Sequence, residues 1–165
     1  MNASPTAQVQ TVPIDLRQDW PAALREAGFD AGKSTAWTVE GLLPFLPSAA
    51  QDRLLDNITA LSADDSRLAS EVAVMPNSTD GNQLWDAMDE ITKRWQEHGF
   101  DIELGQLGYS DERHDVGEYL DGRGWSSVQT RLQDLLVAAG LPKVPQVDGE
   151  AAFGDNYYCT SVKSR

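Results

Sequence analysis

The sequence is poor in the residues that mark exported, metal-binding or nucleic-acid-binding proteins. Cys159 is its only cysteine, which excludes an internal disulfide. Lying in a predicted strand, that thiol is expected to be buried and inert. His98 and His114 are the only histidines, and neither has a second histidine or a cysteine at ligand spacing, so no metal site is expected. Basic residues are scarce: Lys plus Arg number 13 against 26 Asp plus Glu, a formal charge of −13. A phosphate-binding surface needs clustered positive charge, so neither nucleic acid nor an anionic membrane is an expected partner. No run approaches the roughly 18 apolar residues that span a bilayer. Residues 1–11 are polar and show neither a basic n-region nor an apolar h-region, so no signal peptide is read and the expected location is cytoplasmic. On that reading the sequons at Asn57 and Asn77 are chance matches. No glycine precedes Asp15, an absence that matters below.

What is present fits one globular domain. The 165 residues are 41% hydrophobic and 24% charged, with five tryptophans, enough to build a core. Residues 8–14 read as the end of a strand broken by Pro13. Asp19-Trp20-Pro21 opens a helix, proline suiting its first turn, and Gly28 ends it. Residues 36–43 form a nearly continuous apolar run, predicting a strand buried on both faces. A second helix starts at Pro47-Ser48, with Ser48 and Gln51 as a capping box, and carries Leu54, Ile58 and Leu61 on one face. Residues 67–74 read as a strand. Leu84, Met88, Ile91 and Trp95 recur at helical spacing and predict a third helix over 81–98, the stripe being core. Residues 101–109 fit a strand or a loop, 112–121 a helix and 125–129 a strand. Thr130 is placed to cap a helix carrying Leu132, Leu135 and Leu136 that stops at Gly140, and 156–162 read as a last strand. This alternation predicts an α/β layered fold with a largely parallel sheet.

Two stretches carry chemistry. Val12-Pro13-Ile14-Asp15-Leu16-Arg17-Gln18-Asp19-Trp20 and Ala36-Trp37-Thr38-Val39-Glu40-Gly41-Leu42-Leu43-Pro44-Phe45-Leu46 are apolar runs that each meet a carboxylate and then turn. Taken alone, Asp15 is a turn or cap residue and Glu40 an edge carboxylate. Together, with Gly28-Phe29-Asp30, Asp121-Gly122-Arg123-Gly124-Trp125 and Tyr157-Tyr158, they resemble the S-adenosylmethionine-dependent methyltransferases abundant in mycobacteria, a family related to the leucine carboxyl methyltransferases. The resemblance implies a Rossmann-like class I methyltransferase sheet with S-adenosyl-L-methionine as cofactor. Asp15 and Leu16 match the pair that holds the adenine, a carboxylate accepting from the exocyclic amine and a backbone N–H facing a ring nitrogen. Glu40 matches a glutamate lining the cofactor pocket. Phe45 stands where many relatives have tyrosine. Methyl transfer from a sulfonium is an in-line displacement, so the protein chiefly aligns the acceptor and excludes water. The resemblance points to O-methylation of a small acceptor and leaves the catalytic base unassigned.

Such a site also needs a glycine-rich turn and an acidic residue, both upstream of the Asp-Leu pair in the family. Neither stands before Asp15, and Gly122 with Gly124 precedes a strand instead of joining one to a helix. The expectation is therefore a single truncated domain over 1–165, the C-terminal half of the family domain, with a partial sheet lacking its first two strands. The 36–43 strand would then expose an edge. Two further readings follow: a non-catalytic remnant or interaction module that self-associates through that edge, and a split enzyme completed by a complementing chain. The remaining features read as packing or surface: Trp20, Trp37 and Trp125 as core, with Trp37 near enough to Glu40 to face the pocket; His98 at a helix end; His114 paired with Asp115; and Asp64-Asp65 as a solvated turn.

Overall fold

A computed structural model describes residues 6–73, 96, 98–99, 108–109, 111–143 and 156–164. Asp19 accepts from the amide of Ala22 and caps α1 (Trp20–Glu26), with Pro21 in the first turn. Gly28, at φ 96°, takes the left-handed conformation open to glycine and lets the chain leave the helix. The strand β1 (Ala36–Val39) follows, then a 3-10 turn (Leu43–Phe45), α2 (Ser48–Ala60) and β2 (Arg67–Val72). After them come α3 (Val116–Asp121), β3 (Trp125–Arg131), α4 (Leu132–Ala138) and β4 (Tyr157–Lys163).

The four strands form one sheet in the order β1-β2-β4-β3. Only β1 and β2 pair in parallel, with Trp37 opposite Leu68. β4 is inserted between β2 and β3 and runs antiparallel to both. The α/β class is as expected, whereas the sheet is mixed, because the last strand enters between two others that already point the same way. Residues 8–14 form no strand ladder. β1 pairs with β2 alone among the described residues, so these residues have no neighbouring strand to join.

β1 is shorter than its apolar run. Gly41, at φ 60°, turns the backbone out of the extended form, and residues 43–45 close into the 3-10 turn. Nor is β1 buried on both sides: Val39 is buried, Trp37 half-buried, and Ala36 and Thr38 are exposed.

The core lies on one face of the sheet. Leu54, Leu55 and Ile58 of α2, with Leu61, pack with Val39, Leu68, Trp125 and Cys159. Trp37 meets Trp20 edge-on at 6.5 Å and Phe29 at 5.4 Å, and its indole N–H reaches the hydroxyl of Ser62. Trp37 is thus a packing residue. Trp125 is tied likewise to Thr59 at 2.9 Å. α3 joins the same layer through Val116 and Leu120, both fully buried. Cys159 is free and buried, and burial pushes its thiol upward, as expected of an inert cysteine.

Several local expectations shift. Ser48 does not cap α2; Pro47 occupies the cap position without a side-chain bond, and the Ser48 amide donates instead to Asp111 at 2.7 Å. Thr130 lies within β3, and α4 begins directly after Arg131. His114 pairs across the fold with Asp52 at 3.0 Å, not with its neighbour Asp115, which caps α3. The 81–98 helix and the 101–109 segment fall largely outside the described residues.

Candidate functional site

The segment before α1 is built by its own side chains. The Asp15 carboxylate accepts from the Arg17 amide at 2.8 Å, and the Asp15 carbonyl accepts from the Gln18 amide at 2.9 Å. This Asx turn is a standard use of aspartate. The Arg17 guanidinium adds further bonds to both carboxylate oxygens, Nε lying 3.0 and 3.1 Å from them. Those bonds hold the Asp15 carboxyl down to about 2. The carboxylate is therefore anionic over all ordinary pH, and its acceptor sites are turned toward Arg17, a side chain that is itself almost wholly exposed.

Leu16, the next residue, is 44% exposed because it faces a cavity of about 210 Å³. Trp20, Leu46, Ala50 and Leu54 complete an apolar wall, while Arg17, Gln18, Arg53 and Asn57 supply polar groups. The volume lies below the roughly 300–1,000 Å³ of a complete small-molecule site. The wall joins the 16–20 turn to α2 and to the turn leading into it, two regions about thirty residues apart.

Glu40 stands at the carboxyl end of β1, where open α/β sheets bind ligands. It is exposed and makes no hydrogen bond or ion pair among the described residues. The amide of Gly41 donates to Glu71 at 3.2 Å, drawing together the ends of β1 and β2. Neither Glu40 nor Asp15 lines the Leu16 cavity. Of the three sequence-predicted positions, the structure thus places Leu16 in a cavity wall, Asp15 in the turn directly before it, and Glu40 outside that cavity. Among the described residues no cluster of acidic, histidine or cysteine side chains could hold a metal.

A residue that sequence reasoning passed over organises this region. Arg113 is largely buried and donates to the carbonyls of Leu43 at 2.8 Å, Leu46 at 3.2 Å and Tyr109 at 3.0 Å, and to the carboxylate of Asp111 at 2.8 Å. The amide of Tyr109 returns a bond to the Pro44 carbonyl, and buried Gln51 donates to the His114 carbonyl at 2.9 Å. Tyr109 and residues 111–114 are thereby stitched over the turn that carries Leu46 into the cavity wall. The only signal in the sequence was a lone cation within the acidic run Asp111-Glu112-Arg113-His114-Asp115.

A second polar cluster ties α3 to the sheet. Asp115 caps α3 through the Glu118 amide at 2.9 Å and accepts from Gln129 at 2.8 Å and from the Tyr157 hydroxyl. Burial, with the Asp115 carboxylate beside it, pushes the Tyr157 phenol far above its usual range.

Comparison with known proteins shows what this chain is similar to. Residues 1–59 match the leucine carboxyl methyltransferase family. The chain is 54% identical over 167 residues to a protein of Mycolicibacterium smegmatis, covering 99% of this chain and 54% of that protein. It is 52% identical over 165 residues to one of Mycolicibacterium paratuberculosis, covering 100% and 53%, and 44% identical over 165 residues to one of Frankia alni, again covering 100% and 53%. All three carry, provisionally, the name of S-adenosyl-L-methionine-dependent methyltransferase. The chain spans about half the length of these relatives. A crystal structure of a DUF574 family protein from Streptomyces avermitilis superposes with a TM-score of 0.52 at 12% identity, covering 91% of this chain and 53% of that one. At that identity the likeness shows the fold alone.

Proposed function

We propose that this chain, a relative along its whole length of the mycobacterial S-adenosyl-L-methionine-dependent methyltransferases, contributes part of a cofactor site for methyl transfer to a small acceptor, with O-methylation as the reaction type. On this reading Asp15 and Leu16 face the adenine, and Glu40, outside the Leu16 cavity, meets the cofactor nearer the strand ends. The observation that carries this reading is Leu16 set in an apolar cavity wall directly after a carboxylate held ionised.

A cofactor bound here supplies an electrophilic methyl group. The chain's residues bind and orient. Leu16, Trp20 and Leu46 offer an apolar wall to a flat heterocycle, and the Asp15 carboxylate accepts from an exocyclic amine once Arg17, a surface side chain, swings aside. Glu40, without a partner among the described residues, presents a negative charge that suits a sulfonium or a hydroxyl. These residues fit the adenine end of the cofactor better than the whole of it, in keeping with the cavity's volume. Calorimetric titration with S-adenosylhomocysteine tests the reading: binding weakened by Asp15→Ala supports it, and no heat at millimolar ligand contradicts it.

The open edge of β1, paired on one side only among the described residues, favours a second reading: a non-catalytic interaction module that associates through that edge. Light scattering separates the two, because edge pairing requires a concentration-dependent rise in mass.

A further inference from the structure

Charge changes sign at the Leu16 cavity. The chain carries 26 acidic residues against 13 basic ones, yet the charged side chains lining this cavity are both arginines, Arg17 and Arg53. The acids nearest to it in sequence are engaged elsewhere. Asp15 is bonded to Arg17, and Asp19 caps α1. On α2, Asp52 meets His114 at 3.0 Å, while Asp56 accepts from Arg123 at 2.6 Å and from the Tyr119 hydroxyl at 3.2 Å. Asp52 and Asp56 are thereby drawn toward α3 and the residues that flank it. The cavity meets a different stripe of α2: Ala50, Arg53, Leu54 and Asn57, at the spacing of one helical face.

The two arginines are not equivalent. The Arg17 guanidinium is bonded to both oxygens of Asp15. Arg53 is exposed, and its guanidinium makes no hydrogen bond or ion pair among the described residues. The half-buried side-chain amide of Asn57, one turn further along α2, makes none there either. A guanidinium is a planar fork that meets a carboxylate with two parallel bonds, and a carboxamide adds a further donor. Beneath them lies the apolar wall of Leu16, Trp20 and Leu46. An apolar cavity of about 150 Å³ admits benzene, so one of about 210 Å³ has room for an aromatic ring with a carboxylate at its rim.

We propose that the Leu16 cavity binds a small organic acid, its flat apolar body against Leu16, Trp20 and Leu46 and its carboxylate on Arg53 and Asn57. A neutral heterocycle uses the wall and leaves the Arg53 charge unmatched, whereas an acid uses both. A ligand of this class competes with the cofactor for the wall. The competition rests on the adenine reading given above; binding of the acid does not.

The experiment titrates the full chain with benzoate, and with benzamide as its neutral isostere, following the NMR signals of the Trp20 indole and the Asn57 side-chain amide. Both signals are expected to shift with benzoate, which binds about tenfold more tightly than benzamide. Arg53→Gln removes that preference while leaving the circular dichroism unchanged, since Arg53 is exposed. Arg25→Gln, on the exposed side of α1, keeps it. Three results overturn the proposal: no shift of either signal with benzoate, equal affinity for benzoate and benzamide, or a preference that survives Arg53→Gln. A parallel titration with S-adenosylhomocysteine keeps the two readings apart. Benzoate binding without S-adenosylhomocysteine binding removes the adenine reading and supports this one; the reverse overturns this one alone. Where both bind, each lowers the affinity for the other, and independent binding overturns the competition.

Discussion

The guanidinium of Arg113 donates to the carbonyl of Leu43, 70 residues away in the sequence, at 2.8 Å. That bond and its companion to Leu46 hold the turn between β1 and α2 from the outside. The Leu43 carbonyl already accepts from the Leu46 amide within the turn at 3.1 Å, so Arg113 adds a second bond there and supplies the Leu46 carbonyl with a donor from outside the turn, where a buried carbonyl left unpaired would cost free energy. Fixing this turn fixes Leu46, and with it one wall of the Leu16 cavity.

Arg113→Ala is accordingly expected to lower stability by about 2–3 kcal/mol, since hydrogen bonds from a charged donor to partly buried acceptors are lost together. Arg113→Lys should recover less than half, because an ammonium cannot span several carbonyls as a planar fork does. Urea unfolding of the three proteins measures this; equal midpoints would contradict the assignment.

The ionisation of Asp15 gives a second expectation. Its folded value lies near 2, against the ordinary 3.8, chiefly through the bonds from Arg17. A depressed folded value means that the pair's stabilisation is present above the ordinary carboxylate range and is lost as pH falls through 2. Carbon-detected NMR titration should place the Asp15 midpoint near 2 in the native protein and return it toward 3.8 in Arg17→Gln. An unchanged midpoint in the variant would assign the depression elsewhere.

Tyr157 behaves in the opposite sense. Its phenol is raised by burial and by the neighbouring Asp115 carboxylate, so the folded state holds that proton more tightly than the unfolded state. The resulting stabilisation is complete below the ordinary phenol range near pH 10 and declines above it. Tyr157→Phe should cost about 1 kcal/mol at neutral pH, since the group is half-buried and the bond is to a carboxylate, and should flatten the loss of stability between pH 10 and 11. Thermal melts of both proteins across that range decide the matter.

Much of this fold was legible because local signals agreed with the final packing. Asp19 and Pro21 opening α1, Gly28 closing it, and the Leu54, Ile58 and Leu61 face of α2 depend on neighbours within a few turns. The errors fall where distant segments decide. Residues 8–14 look like a strand but have no neighbouring strand to pair with among the described residues. β4 looks like one more parallel strand, yet its insertion between β2 and β3 is invisible in its own residues. Ser48 has the chemistry of a cap, but Asp111, 63 residues on, takes its amide. The site divides in the same way. Asp15 and Leu16 were readable as a pair because one turn contains both, whereas Arg113 acts on carbonyls, which no side-chain pattern reveals.

Arg17 supplies a sharper test of the ligand reading. Its guanidinium occupies the oxygens that an incoming amine requires, so Arg17→Ala should leave affinity for S-adenosylhomocysteine equal or greater despite the loss of a cavity-lining cation. A loss of affinity matching that of Asp15→Ala would show that the ion pair, not the free carboxylate, is what the ligand needs.

The most direct test of the account is the affinity of the full chain for S-adenosylhomocysteine, measured by calorimetry before and after Asp15→Ala, with Asp30→Ala as an exposed acidic control. A hydrogen bond to a charged acceptor of about 1.5–3 kcal/mol corresponds to roughly 10- to 150-fold. The account predicts a loss in that range for Asp15→Ala and none for Asp30→Ala. Equal affinities for the wild-type chain and Asp15→Ala would contradict it.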